Sequence, residues 1–328
     1  MTVSSAASVE SSSVALLRRL FLSNYLVLVL TVLFFISLAP FTPGFASANN
    51  LLGILAYLLP LFIAAIGLTA VMITGGIDLS VTSIIALTSV VGARIMTADG
   101  SGGSAAFGLC AMIGLGVALG AMNGLTVTVL RLPAFIVTLV SMMFLSGFAI
   151  WLTQSKNIDQ LPQAFLQLGK HLPFALTITA VPGIAVHLLL RKTVFGRWLY
   201  AIGQNATTAH ISGIPTRLIT FAAYVLSGFC AALASVLLTG RLETASPVLG
   251  REILLDIIGA TVIGGTSLFG GRGTIVGTFF GVLFLTVLDN ALNLLNLSQF
   301  SITITKGSVI LFAAVLDTMR QRIARQTV

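Results

Sequence analysis

Residues 20–77 read LFLSNYLVLVLTVLFFISLAPFTPGFASANNLLGILAYLLPLFIAAIGLTAVMITGGI, 58 residues without a charged side chain. A bilayer core of roughly 30 Å is crossed by about 20 apolar residues in helical form, so this stretch alone holds two spans. Only helices and closed barrels satisfy backbone groups in hydrocarbon, and the run lacks the alternation of barrel strands. The fold class that follows is an all-α polytopic membrane protein.

The rest of the chain agrees. Of 328 residues, 57% are hydrophobic and 8% charged, where a soluble domain carries about a quarter charged, and the mean hydropathy is +1.07. About ten transmembrane helices are expected, centred on residues 24–40, 51–74, 80–97, 105–130, 133–153, 173–190, 218–239, 253–266, 274–295 and 303–317. The eighth is short enough to be a partial or tilted element.

Arg18 and Arg19 before the first span put the N-terminus in the cytoplasm by the positive-inside rule. Ten spans return the C-terminus there, with Arg320, Arg322 and Arg325, so that eleven basic residues fall inside and six outside or at its edge. A single membrane domain over 21–318 then lies between cytoplasmic tails at 1–20 and 319–328, with residues 1–13 expected to be disordered. Ala46-Ser47-Ala48 after the first run imitates a signal-peptide cleavage site, but the run is span-length, and an uncleaved first span is expected.

The net charge of +8 is strung between spans as a topology signal and forms no basic face with stacking aromatics, so nucleic acid is excluded as a partner. Cys110 and Cys230 lie inside apolar runs and read as small core residues. His171, His187 and His210 are scattered without metal-ligand spacing, and no nucleophile elbow appears, so neither a metal nor an enzyme is expected. Gly169-Lys170 is followed by His171, so there is no P-loop.

Three polar interruptions carry information. Ile73-Thr-Gly-Gly-Ile-Asp-Leu-Ser80 joins the second and third spans. Its Gly pair lets the backbone leave helix geometry, and Asp78 or Ser80 can cap the next helix. It reads as a capped turn, or as a broken helix lining a path. The glycine-rich Leu255–Thr274 segment echoes it, which hints at duplication, and reads as close helix packing plus a flexible turn. Asn123-Gly124 and Arg131-Leu-Pro-Ala bracket a tight helix–helix connection.

The largest polar island, RKTVFGRWLYAIGQNATTAHISGIPTR from Arg191 to Arg217, mixes Trp198, Tyr200, glycines and Asn205 in a way that points to docking rather than mere solvation. Among the carboxylates, Asp78 and Asp317 fall at cytoplasmic ends and Asp256 near the start of its span. Asp289 alone sits well inside one, with Asn290 and Asn293 beside it. It reads as a proton relay or, with neutral amides for neighbours, a packing group.

Four stretches in this order resemble the permease subunit of ribose-type sugar ABC importers: GGIDLSVTSIIA from Gly75, NGLTVTVLRLPAFIVTL from Asn123, GRWLYAIGQNATTAHISGI from Gly196 and LDIIGATVIGGTSLFGGRGTIVGT from Leu255. Thr82 and Gln204 stand where glycine is usual. The resemblance implies a type II importer bundle with broken helices in the bacterial inner membrane, translocating a pentose or hexose. It also implies three partners besides membrane lipid: a separate ABC ATPase, often double-cassette, that binds the ATP and Mg; a second permease chain; and an extracytoplasmic sugar-binding protein. No cofactor is expected in this chain.

In that reading the 191–217 loop docks the ATPase through Gly203, Asn205, Ala209, Ser212, Gly213 and Ile214. Ala209 and Gly213 would allow close approach, and Asn205 and Ser212 would cap a short helix. Thr74, Asp78, Asn123, Thr138 and Asn293 are candidates for the substrate path. The rival function is an ion-coupled secondary carrier using Asp289.

Overall fold

The computed structural model describes residues 25–97 and 104–326, the last ten by backbone path alone. The N-terminal tail, Arg18, Arg19 and the side chains of Asp317, Arg320, Arg322 and Arg325 lie outside the described residues. Every apolar run named above is a helix: α1 (Leu26–Leu38), α2 (Ala48–Ile73), α3 (Val81–Thr97), α4 (Ala105–Thr128), α5 (Ala134–Thr153), α7 (Leu172–Lys192), α10 (Thr216–Leu242), α11 (Leu254–Ile263), α12 (Ile275–Leu294) and α13 (Gln299–Gln326). Three further helices lie between them: α6 (Gln163–Lys170), α8 (Val194–Gln204) and α9 (Ala206–Ile211). No strand is assigned among the described residues, only an isolated bridge between Ile158 and Ala245.

Among the described residues, seven helices are long and apolar enough to cross a bilayer. Leu26–Leu38 and Val81–Thr97 are shorter apolar helices. The ten residues of α11 rise about 15 Å, half a bilayer core. The expected partial element is therefore present. Gly-Gly turns cut the helical path after Ile73 and again after Ile263.

α2 is the centre of the bundle. From Leu58 to Ile73 every residue is buried, which requires packing on all sides. α10 runs beside it and packs on α4, α3 and α6 as well. The α4–α10 crossing is close because Gly116, Gly120 and Gly124 recur every fourth residue on one face. A Cβ at Gly120 would overlap the carbonyl of Tyr224, and one at Gly228 the carbonyl of Gly116. The outer helices leave apolar side chains exposed, among them Leu33 and Ile36 of α1, Phe144 and Trp151 of α5, and Ile304 and Leu311 of α13.

One local expectation needs correction. Cys230 is buried in the core, but Cys110 is exposed, because it lies on the outward side of α4, whose other faces pack on α3 and α10.

Candidate functional site

The 191–217 island is not a loop. Thr193 accepts a hydrogen bond from Gly196 N and opens α8; Asn205 accepts one from Thr208 N at 2.9 Å and opens α9. These are ordinary N-caps that satisfy orphan helix amides. Gly203 lets α8 sit on the end of α2, since a Cβ there would overlap the carbonyl of Ile73. Tyr200 donates to the carbonyl of Gly273 at 2.7 Å, and Gly271 N donates to the carbonyl of Ile73 at 2.9 Å. The two Gly-Gly turns that echo each other in sequence thus meet in space, with Gly270 against Gly75. The 264–274 turn is anchored on both sides rather than free.

α9 is presented outward on this platform. Ala209 is buried and faces the bundle, whereas Ile211 is 81% exposed. Ser212 closes the helix through its backbone N–H, bonded to Thr208 O, and not through its side chain. Gly213 has φ +83° and open space around its Cα. It serves the left-handed exit from α9, and Ile214 packs partly buried behind it.

Below the platform lies a buried polar knot. The Asp78 carboxylate accepts from Ser80 N at 3.0 Å, from Ser80 Oγ and, through Oδ2, from Ser227 Oγ at 2.8 Å. Asn123 Nδ2 donates to Ser80 Oγ at 2.8 Å, and Ser141 Oγ donates to Asn123 Oδ1. Thr138 Oγ1 donates to the carbonyl of Ile77 at 2.9 Å. The knot ties α4, α5 and α10 to the turn between α2 and α3. Asp78 has no exposed surface, so the expectation that water reaches it is overturned: the chain turns back into the bundle after Gly76.

A second charged group lies toward the other end of α10. Lys306 bridges Asp256 at 2.9 Å and Asp289 at 2.6 Å, with side-chain exposures of 14%, 7% and 21%. Asn293 donates to the Asp289 carboxylate at 3.2 Å, while Asn290 pairs with Asn50 through two hydrogen bonds. Arg241 lies 5.6 Å over the Tyr57 ring. Asp289 is therefore not a lone carboxylate among amides. Lys306 escaped the sequence reading because its partners are 50 and 17 residues away, on two other helices.

Between α3, α5 and the 247–254 segment opens a cavity of about 430 Å³. Its polar lining is Thr82, Ser83, Ser146 and Arg251, and Met142 and Met143 supply much of the rest. Of the path candidates, Asp78, Asn123 and Thr138 are enclosed in the knot; Thr74 and Asn293 keep exposed surface. Ser146 and Arg251 were not singled out from sequence, for nothing in their local pattern separates them from ordinary helix and turn residues. Among the described residues no cluster of His, Cys, Asp or Glu could hold a metal.

An all-helical bundle of membrane-length segments, broken by Gly-Gly turns, with polar groups inside and a capped helix pair on one end, defines a multi-pass transport protein. Residues 50–316 match the family described as "Branched-chain amino acid transport system / permease component", and the chain belongs to that family. It is 39% identical over 290 residues to the ribose import permease protein RbsC of Escherichia coli (strain K12), covering 85% of this chain and 89% of that one. The protein of the same name in Bacillus subtilis (strain 168) is 38% identical over 281 residues, 84% of this chain and 86% of its own. The L-arabinose transport system permease protein AraH of Escherichia coli (strain K12) is 33% identical over 317 residues, 93% of both chains. No solved structure gives a significant match. The resemblance to ribose-type sugar permeases holds, and these relatives favour it over the carrier alternative built on Asp289.

Proposed function

We propose that this chain is the membrane subunit of an ATP-driven importer for a monosaccharide, with pentoses the first class to test. The observation that carries the reading is the α8–α9 platform: a capped six-residue helix, held against the ends of α2 and the 264–274 turn, presenting an exposed Ile211. The names of the relatives that span the chain point the same way. A separate ABC ATPase would bind the ATP and Mg and receive α9 in a groove. A second permease chain and an extracytoplasmic binding protein would complete the assembly. Because α8 is pinned to Ile73 and Gly273, a push on α9 would move the α2 and α12 ends as one body.

The orientation has support in charge. The basic residues of the whole sequence count eleven for the platform side against six for the other side or its edge, and it is basic residues that set orientation. Positive-inside placement puts the platform, and both termini, in the cytoplasm of an inner-membrane protein.

Gly203, Asn205, Ala209, Ser212, Gly213 and Ile214 then shape the docking element, but the exposed Ile211 makes the cleaner test. Ile211→Asp should weaken association with the ATPase by about thirtyfold, the effect of losing an apolar anchor at an interface. ATPase would no longer co-purify and uptake of ribose or arabinose would stop, with membrane insertion unchanged. Normal uptake by this variant would refute the docking role.

The cavity beside Thr82 is the proposed sugar passage; it is lined by hydroxyls and Arg251, and has room for a hexose. Thr82, where glycine is usual, narrows it. Ser146→Trp should fill the cavity and cut uptake at least tenfold while the ATPase still co-purifies. Equal uptake would place the passage elsewhere.

A further inference from the structure

A cavity of about 500 Å³ opens where α7, α8 and the start of α12 meet residue Tyr25, just before α1. It is lined by His187, Arg191, Arg197, Tyr25 and Tyr200. Tyr200 is committed to the Gly273 carbonyl, while neither the knot nor the docking element uses His187, Arg191 or Arg197. Among the described residues no acidic group lies within ion-pair reach of either arginine, since the recorded ion pairs are those of Lys170 with Glu243 and of Lys306 with its two aspartates. The amino end of α12 adds a favourable field for an anion.

Val276, which lines this cavity, begins a row on α12 that continues through Phe279, Leu283 and Val287 at helical spacing. The last three line a separate apolar groove of about 350 Å³ between α1, α2 and α12, whose other wall includes Val32, Phe35 and Leu55. From Val276 to Val287 a helix rises about 16 Å, close to the thickness of one leaflet's hydrocarbon. α1 flanks both sites, through Tyr25 at one and Val32 and Phe35 at the other, and its exposed Leu30, Leu33 and Ile36 face the surroundings as lipid-facing residues do. Two arginines, a histidine and two tyrosines at one end of α12, with an apolar groove further along the same helix face, match the two halves of a phospholipid.

We propose that this is a binding site for one anionic phospholipid, its phosphate held by Arg191 and Arg197 and one acyl chain laid along the α12 row. A lipid fits better than a protein segment because the groove runs along the helices, parallel to the membrane normal on this fold, and is lined by apolar side chains. The bound lipid would also bridge α1 to α7, which otherwise approach each other only across the cavity. The inference does not rest on the transported solute.

The test uses the full-length purified chain in detergent, with native mass spectrometry of added phosphatidylglycerol and phosphatidylcholine. Each basic residue near an anionic headgroup adds roughly fivefold, so the two arginines should favour phosphatidylglycerol by about twenty-five-fold. Arg191→Gln with Arg197→Gln should abolish that preference, Arg191→Lys with Arg197→Lys should keep most of it, and Leu283→Trp should weaken both lipids. Equal retention of the two lipids by the unaltered chain overturns the proposal, and that comparison stands even if a variant misfolds. So does an unchanged preference in the double glutamine variant. Displacement of phosphatidylglycerol by equimolar glycerol 3-phosphate would mark a free-phosphate site. Loss of ATPase co-purification with the lipid preference intact would mark a protein-docking surface. Either result also overturns it.

Discussion

Lys306→Met should destabilise the bundle by about 3 kcal/mol, because it leaves the buried Asp256 and the half-buried Asp289 facing each other without their cation. In detergent this should lower the thermal midpoint by about 10 °C. The residue is not needed for its own sake. Lys306→Met combined with Asp256→Asn and Asp289→Asn removes all three charges and should recover more than half of the loss, since a neutral, hydrogen-bonded set needs no counter-ion. Failure of the triple variant to recover would show that the ion cluster has a role that charge balance does not explain. The cluster joins α11, α12 and α13, and α11 is too short to hold its place by length. The ion pair therefore fixes where the broken helix starts.

Asp78→Leu should cost about 3 kcal/mol or more. The side chain is isosteric enough to fit, but Ser80 N–H and the hydroxyls of Ser80 and Ser227 lose their acceptor in a site without water. Asp78→Asn should cost about 1 kcal/mol: its carbonyl oxygen can replace Oδ1, and Ser227 Oγ can accept from the new amide. The ratio of the two effects in thermal unfolding separates acceptor geometry from charge. A leucine variant as stable as the parent would remove the knot from the account of the fold. The expected consequence for function is indirect, through α3, which starts at Val81 directly after Ser80 of the knot and lines the cavity with Thr82 and Ser83.

The helices themselves were legible because burial in hydrocarbon leaves little choice. A charge-free run must hydrogen-bond its own backbone, and its length sets the number of crossings. Caps were partly legible for the same local reason: Asn205 lies within three residues of the amide it satisfies. Ser212 shows the limit, since its side chain has the right chemistry but the helix closes through its backbone. Gly213 also has a positive φ, a turn role that its residue type alone does not reveal.

The partners of polar residues were not legible. Asp289 near two asparagines in sequence suggested neutral packing, yet Asn290 turns to Asn50 and the carboxylate turns to Lys306. A helix rotates successive residues by about 100°, so neighbours in sequence face different helices. Asp78 lies next to a turn and looked solvated, until the chain folded back and closed α4, α5 and α10 over it. The cavity near Thr82 and the basic pocket near Tyr25 are each assembled from segments far apart in the chain, and no local pattern marks them.

By itself the sequence determined that this chain spans a membrane as helices and where those helices break, because these follow from apolar run length and local turn chemistry. Only the tertiary structure decided which charges pair, which candidate residues are sealed and where space remains. Those depend on the relative rotation and crossing of helices, and that is set by close contacts such as Gly120 against Tyr224, not by any one segment's composition.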